Sequence, residues 1–131
     1  MVPPTPGASR GGVLLTSEEE RDQRRLDDML DMLRDIREHL RAGKEAFFGN
    51  RDTQKIVAYD LLILGEAANK VSKRTQKANP QVPWRAIVEY RNDLIHEYQS
   101  LDLEETWEFV VRTLPSLERR LRRARVPGSL P

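Results

Sequence analysis

Arg91, Asn92, His96 and Tyr98 fall within the eight-residue run Arg91-Asn92-Asp93-Leu94-Ile95-His96-Glu97-Tyr98. Periodicity puts the whole run on one helix. At about 100° per residue, Trp84, Ile87, Val88, Leu94, Ile95 and Tyr98 lie within roughly 60° of Arg91. Arg91 therefore stands in the middle of the apolar stripe, where charge is costly unless it is paired or used. Asn92 and His96 share one edge of that stripe, about 40° apart. His96 can exchange protons near neutral pH. Arg91 is a permanent, planar cation whose geometry suits phosphate oxygens. An acid–base group, an anion clamp and an amide at the border of a buried face have the composition of a site.

Each residue also has a plainer reading. Arg91 fits a structural ion pair, with Glu66 as partner halfway along the most apolar helix. His96 fits an imidazole at the negative end of a helix. Asn92 fits a cap or an interface hydrogen bond. Tyr98 fits core packing with a wet hydroxyl, and Asp93 points away from the stripe. His39 has no companion motif and reads as a surface residue. His96-Glu97 lacks the second histidine of a zinc helix. Two histidines and no cysteine argue against a structural zinc site, so no metal or other cofactor is expected. The glycines are scattered, and no phosphate-cradling loop appears. Arg119, Arg120, Arg122, Arg123 and Arg125 could follow a nucleic-acid backbone or complement a helix C-terminus.

The elements that carry these residues are all helical. Residues 1–15, with Pro3, Pro4, Pro6, Gly7, Gly11 and Gly12, read as a disordered leader. A helix starts at Thr16 or Ser17, with Ser17 and Glu20 at capping-box spacing. Its stripe of Leu26, Met29, Leu30, Leu33, Ile36, Arg37 and Leu40 ends near Gly43. Phe47 and Phe48 fall in a short connection. Asp52 caps a second helix, apolar nearly all round, which runs to Asn79-Pro80 and belongs in the middle of a bundle. Gly65 and Ala68 would let a neighbour approach closely. A third helix opens at Pro83-Trp84 and carries the motif to about Tyr98. Asp102 caps a fourth, with Leu103, Trp107, Val110, Leu114, Leu117 and Leu121 at bundle spacing. Pro115 should kink that helix or split it. The expected fold is all-α: an antiparallel bundle of four main helices over residues 16–125, followed by a tail over 126–131.

Composition narrows the function classes. The chain's 131 residues suit one domain. Its 22 Lys and Arg nearly balance 21 Asp and Glu, so any attraction to nucleic acid must come from local segregation of charge. The absence of cysteine excludes disulfides and thiol catalysis and suits the cytoplasm. No apolar run approaches membrane-spanning length.

Several segments, taken in order, resemble the HepT-like toxins of the HEPN superfamily. Arg91, His96 and Tyr98 match an Arg-x4-His-x-Tyr signature. Ile63-Leu64-Gly65-Glu66-Ala67-Ala68 is similar to that family's "IGEA" helix. Asn79-Pro80-Gln81-Val82-Pro83-Trp84 is similar to its lead-in, and Leu101-Asp102-Leu103, Trp107 and Leu114-Pro115-Ser116-Leu117 to its tail. The resemblance runs from about Leu26 to Leu121. It implies a homodimeric, metal-independent endoribonuclease with the Arg and His of both protomers in an interface cleft. It also implies a minimal nucleotidyltransferase as antitoxin, which attaches AMP to the motif tyrosine, here Tyr98. Glu97 departs from the pattern, standing where many members carry a small residue.

Such chemistry needs a base for the 2′-hydroxyl, an acid for the leaving 5′-oxygen and a cation for the pentavalent phosphate. A twofold interface supplies His96 twice. Arg91 and His96 are about 140° apart on an ideal helix, so they converge only through the reach of arginine, a distorted helix end or the second protomer. Two rival readings remain: a non-catalytic HEPN module that binds a nucleotide or its partner, and a plain helical dimer held by an Arg91–Glu66 pair.

Overall fold

The computed structural model describes residues 15–97 and 100–128, so most of the expected leader, and Tyr98 itself, lie outside the described residues. Helix α1, Ser17–His39, is opened by a capping box one residue earlier than expected. The Thr16 hydroxyl accepts from the Glu19 backbone N–H, and the Glu19 carboxylate accepts from the Thr16 N–H. Leu26, Met29, Leu33 and Ile36 bury the inner stripe. Arg37, read as part of that stripe, lies on its exposed flank and donates to both carboxylate oxygens of Glu118, at 2.9 and 2.7 Å.

The segment holding Phe47 and Phe48 is not a bare connection but a short helix, α2, Lys44–Gly49. Gly43 takes φ 96° ahead of it, a conformation only glycine adopts freely. Phe47 is buried, with its ring centroid 5.7 Å from that of Trp107. Helix α3, Arg51–Lys70, is capped by Asn50 rather than Asp52, the Asn50 side chain accepting from Thr53 N–H. It packs against α1, α2 and α5, the central position its apolar surface implies.

The second helix expected to reach Asn79 is broken. Val71 is extended at ψ 133°, and Ser72 caps a separate helix, α4, Lys73–Ala78. The physical reason lies on α1. The Asp22 carboxylate accepts from Ser72 N (3.0 Å), Ser72 Oγ (2.6 Å) and Thr75 Oγ1 (2.6 Å), which pulls the chain out of helical register.

Helix α5, Trp84–Glu97, carries the motif. Pro83 stands just before it, its carbonyl accepting from Ile87 N–H. Trp84 Nε1 donates to the Asn79 carbonyl at 3.0 Å. The buried Asn79 amide donates to the carbonyls of Thr75 and Arg125 and accepts from Arg125 N–H, tying the entry of α5 to the segment after the last helix. That last helix, α6, Leu103–Arg122, is capped by Asp102 as expected. It runs unbroken through Pro115, so the proline does not split it. Tyr90 of α5 stacks on Phe109 of α6, with centroids 3.8 Å apart and planes 5° from parallel. Val126, expected to open the tail, is buried with the core residues. The described residues are thus all-helical, with the four long helices foreseen and two short ones besides.

Candidate functional site

Arg91 is held by its stem. Its Cβ and Cγ lie over Gly65 of α3 so closely that a Cβ at position 65 would collide with Arg91 Cβ, stand 2.6 Å from its Cγ and sit 3.4 Å from the Ile87 carbonyl. Gly65 is therefore the floor on which the arginine rests, and helices α3 and α5 meet there at backbone distance. This reconciles a cation with the apolar stripe: the methylene stem is packed while the guanidinium head emerges. Nε donates to Asn92 Oδ1 at 3.0 Å. That bond orients the fork and leaves the two terminal amino groups for an anion.

Gly65→Ala is accordingly expected to destabilise the protein by up to roughly 2 kcal/mol. Overpacking of about 1–3 kcal/mol opposes a helix-propensity gain of about 1. Because the atoms displaced belong to Arg91, the same substitution should also shift its fork. Thermal unfolding checks the stability; a more stable Gly65→Ala protein would remove the steric argument.

Glu66, the expected partner of Arg91, is engaged elsewhere. Its carboxylate accepts from Lys70 Nζ at 2.9 Å, and about half of each side chain is exposed. The Lys70 bond holds the Glu66 carboxyl below its ordinary pKa, with Arg91 adding a smaller through-space pull. Among the described residues no ion pair joins Arg91 to Glu66, so the buried pair of the plain-dimer reading is not formed.

Asn92 and His96 are both exposed, and His96 sits in the last turn of α5. Among the described residues no hydrogen bond engages the His96 ring, and none joins it to Arg91. Ile95, placed on the buried stripe by periodicity, is 53% exposed. On α3, Tyr59 and Ile56 are also exposed. Ile95 of the motif helix and Tyr59 of α3 are thus left largely uncovered within one chain, whereas Leu94 of the motif is buried.

Sequence reasoning missed one feature beside the motif helix. Arg51, Gln54 and Lys55 at the start of α3 line an open groove with Ser100, Leu101 and Leu103, just beyond the motif helix. Two cations stand there, and only the packing of α3 brings them beside the chain that follows Glu97. The basic run on α6 is partly occupied: Arg120 donates to the Gln81 carbonyl, Arg122 to Glu118, and Arg125 to the Arg122 and Ala124 carbonyls. The helix-terminus role foreseen for that run is met by Arg125.

His39 is also not the isolated surface residue it looked. It is half-buried at the end of α1 beside Asp35, with the buried Asp60 of α3 facing both. Burial, with the Asp35 carboxyl next to it, raises the Asp60 pKa from 3.8 to about 8. A carboxyl whose folded pKa is raised adds stability that is complete below pH 4 and is lost as pH rises toward 8. In chelator, Asp60→Asn should flatten that decline in melting temperature; a decline unchanged in the variant would assign it to other groups.

Comparison with known proteins gives a consistent picture. A family model described as "Ribonuclease HepT-like" matches residues 29–124. The chain is 31% identical over 101 residues to a protein of Thermococcus cleftensis named "Probable ribonuclease HepT", covering 76% of this chain and 92% of that protein. It is 30% identical over 92 residues to a protein of Methanocaldococcus jannaschii named "Putative RNase", covering 70% of this chain and 76% of that one. No solved structure gives a significant match. No helix among the described residues is long and apolar enough to cross a membrane.

Proposed function

Because the chain belongs to the HepT-like ribonuclease family, we propose that it is a HEPN-type endoribonuclease that cuts RNA without a metal ion at a cleft between two copies of α5. The observation that carries this reading is the contrast within the motif. The Arg91 stem is clamped on Gly65 while its head, Asn92 and His96 remain open to a ligand.

Arg91 binds the scissile phosphate and meets the charge that grows on its non-bridging oxygens. His96 of one protomer takes the 2′-hydroxyl proton, and His96 of the other protonates the leaving 5′-oxygen. The oxygen–phosphorus bond to the 5′-oxygen breaks as the 2′-oxygen bond forms, which leaves a 2′,3′-cyclic phosphate. Asn92 holds the Arg91 fork, and Glu66 steadies the α3 surface beneath it through Lys70. Exposed Ile95, Tyr59 and Ile56 support a homodimer, since a partner would cover them.

In this reading the protein is the cytoplasmic toxin of a pair whose antitoxin is a minimal nucleotidyltransferase. AMP placed on Tyr98, directly after α5, would fill the cleft with bulk and negative charge and repel RNA. The antiparallel four-helix arrangement foreseen from the sequence would set the two α5 helices against each other.

The test is cleavage of total and transfer RNA by the full chain in EDTA, with Tyr98 shown unmodified by intact mass. Chelator-resistant cleavage is expected, and so is its loss when the transferase and ATP add one AMP to wild type but not to Tyr98→Phe. Absent cleavage by unmodified protein would favour the non-catalytic nucleotide- or partner-binding module.

A further inference from the structure

Away from the motif, one imidazole nitrogen and two carboxylate oxygens, from His39, Asp35 and Asp60, lie within 4.8 Å of one another. Asp35 and His39 are four residues apart on α1 and so share a face. Asp60 reaches them from α3. It is 4% exposed, yet its Oδ2 has no hydrogen-bond partner. Among the described residues neither carboxylate forms an ion pair with a lysine or arginine; the only cation-capable neighbour is the His39 ring, whose Nδ1 is 3.5 Å from Asp35 Oδ1. The Asp60 carboxyl is hydrogen-bonded to that of Asp35, yet its buried Oδ2 has no partner, an exception that calls for an occupant.

The imidazole is held through Nδ1, the ring nitrogen that also stands 3.5 Å from Asp35 Oδ1, so ligation would fall to Nε2. Nδ1 is 2.8 Å from the Asp35 backbone carbonyl, and a proton there donates to that oxygen and leaves Nε2 with its lone pair free. Histidine ligands are commonly set by such a bond from the other ring nitrogen.

We infer that Asp35, His39 and Asp60 form a binding site for one divalent first-row transition cation that pins the end of α1 to α3. One nitrogen and two oxygens without a thiolate suit zinc or manganese, whereas magnesium favours oxygen ligands and keeps much of its water. Bonds of about 2.1 Å in tetrahedral geometry would bring the donor atoms to about 3.4 Å apart. That is a modest contraction from the present spacing, within reach of side-chain rotation. Three protein ligands leave further positions to water. The site is separate from the motif: Asp60 and Gly65 are five residues apart on α3, about 140° around the helix and 7.5 Å along it. The cation is therefore a clamp on the scaffold and takes no part in cleavage.

The experiment uses the full chain stripped with chelator, then titrated with Zn²⁺, Mn²⁺ and Mg²⁺ by calorimetry and thermal melting, with Co²⁺ absorption as a spectroscopic probe. One ion per chain is expected. Melting should rise with Zn²⁺ or Mn²⁺ and respond little to Mg²⁺, because binding to the folded state alone stabilises it. Asp60→Asn and His39→Gln should each weaken binding by more than about 100-fold, since losing an outer-shell partner alone costs about 10–100-fold. Circular dichroism confirms that each variant folds; if one does not, the other decides. No saturable binding, or binding undiminished in the folded variants, overturns the site. So does a melting temperature indifferent to metal, which would mean that a proton alone joins the two carboxyls. RNA cleavage measured in parallel reports on the motif, so failure of one reading is distinguishable from failure of the other.

Discussion

His96→Ala is expected to cut RNA cleavage by about 10²-fold or more while leaving thermal unfolding within about 0.5 kcal/mol of the parent. Both halves follow from where the ring sits. It is exposed in the last turn of α5, and no hydrogen bond among the described residues engages it. Removing it therefore leaves no cavity and orphans no buried group. The catalytic loss follows because an imidazole can both accept and donate a proton, which alanine cannot do. If two copies act across a twofold axis, mixed dimers of wild type and His96→Ala should fall well below half activity, because each site then lacks either its acid or its base. Undiminished cleavage by the alanine variant would remove His96 from the site. A large loss of stability would instead make it a structural residue.

Asp22→Ala should be the most damaging polar substitution for the fold, costing about 3 kcal/mol and lowering the melting temperature by roughly 10–20 °C. Asp22 is 2% exposed and receives three hydrogen bonds, from Ser72 N, Ser72 Oγ and Thr75 Oγ1. Hydrogen bonds to a charged acceptor contribute about 1.5–3 kcal/mol each in isolation, but three on one carboxylate are not additive. Alanine also leaves the buried Thr75 hydroxyl without its acceptor. Adding Thr75→Val removes that orphan, so the double variant should recover part of the loss. Denaturant unfolding of the single and double variants measures the coupling. Additive losses would mean that the carboxylate and the hydroxyl act independently. The position matters for function because α4 leads through Asn79 to Trp84 and the entry of the motif helix.

Much of the scaffold was legible from local pattern. The stripe of Leu26, Met29, Leu33 and Ile36, the Asp102 cap and the central place of the apolar α3 are all written in short-range spacing, and each is observed. Errors arose where a distant residue intervenes. A continuous helix from Asp52 to Asn79 is locally reasonable, and only Asp22, fifty residues earlier, explains the break at Val71. Pro115 argued for a kink or a division of the last helix, and of the two the division does not occur, since α6 stays continuous there. Leu114 and Leu117 are buried on either side of the exposed Pro115, so packing outweighs the missing backbone bond.

For the site, spacing along the chain was enough to put Arg91, Asn92 and His96 on one helix in that order; Tyr98, expected to follow them there, lies outside the described residues. That is a property of periodicity, and the family match, over residues 29–124, spans it. Tertiary structure decided how those groups are held. It set the Arg91 stem on Gly65, gave Glu66 to Lys70, left Ile95 uncovered and brought Asp60 to Asp35 and His39. Spacing along a chain specifies direction around one helix. The depth to which a neighbouring helix approaches, and what it brings with it, is settled only when both surfaces pack.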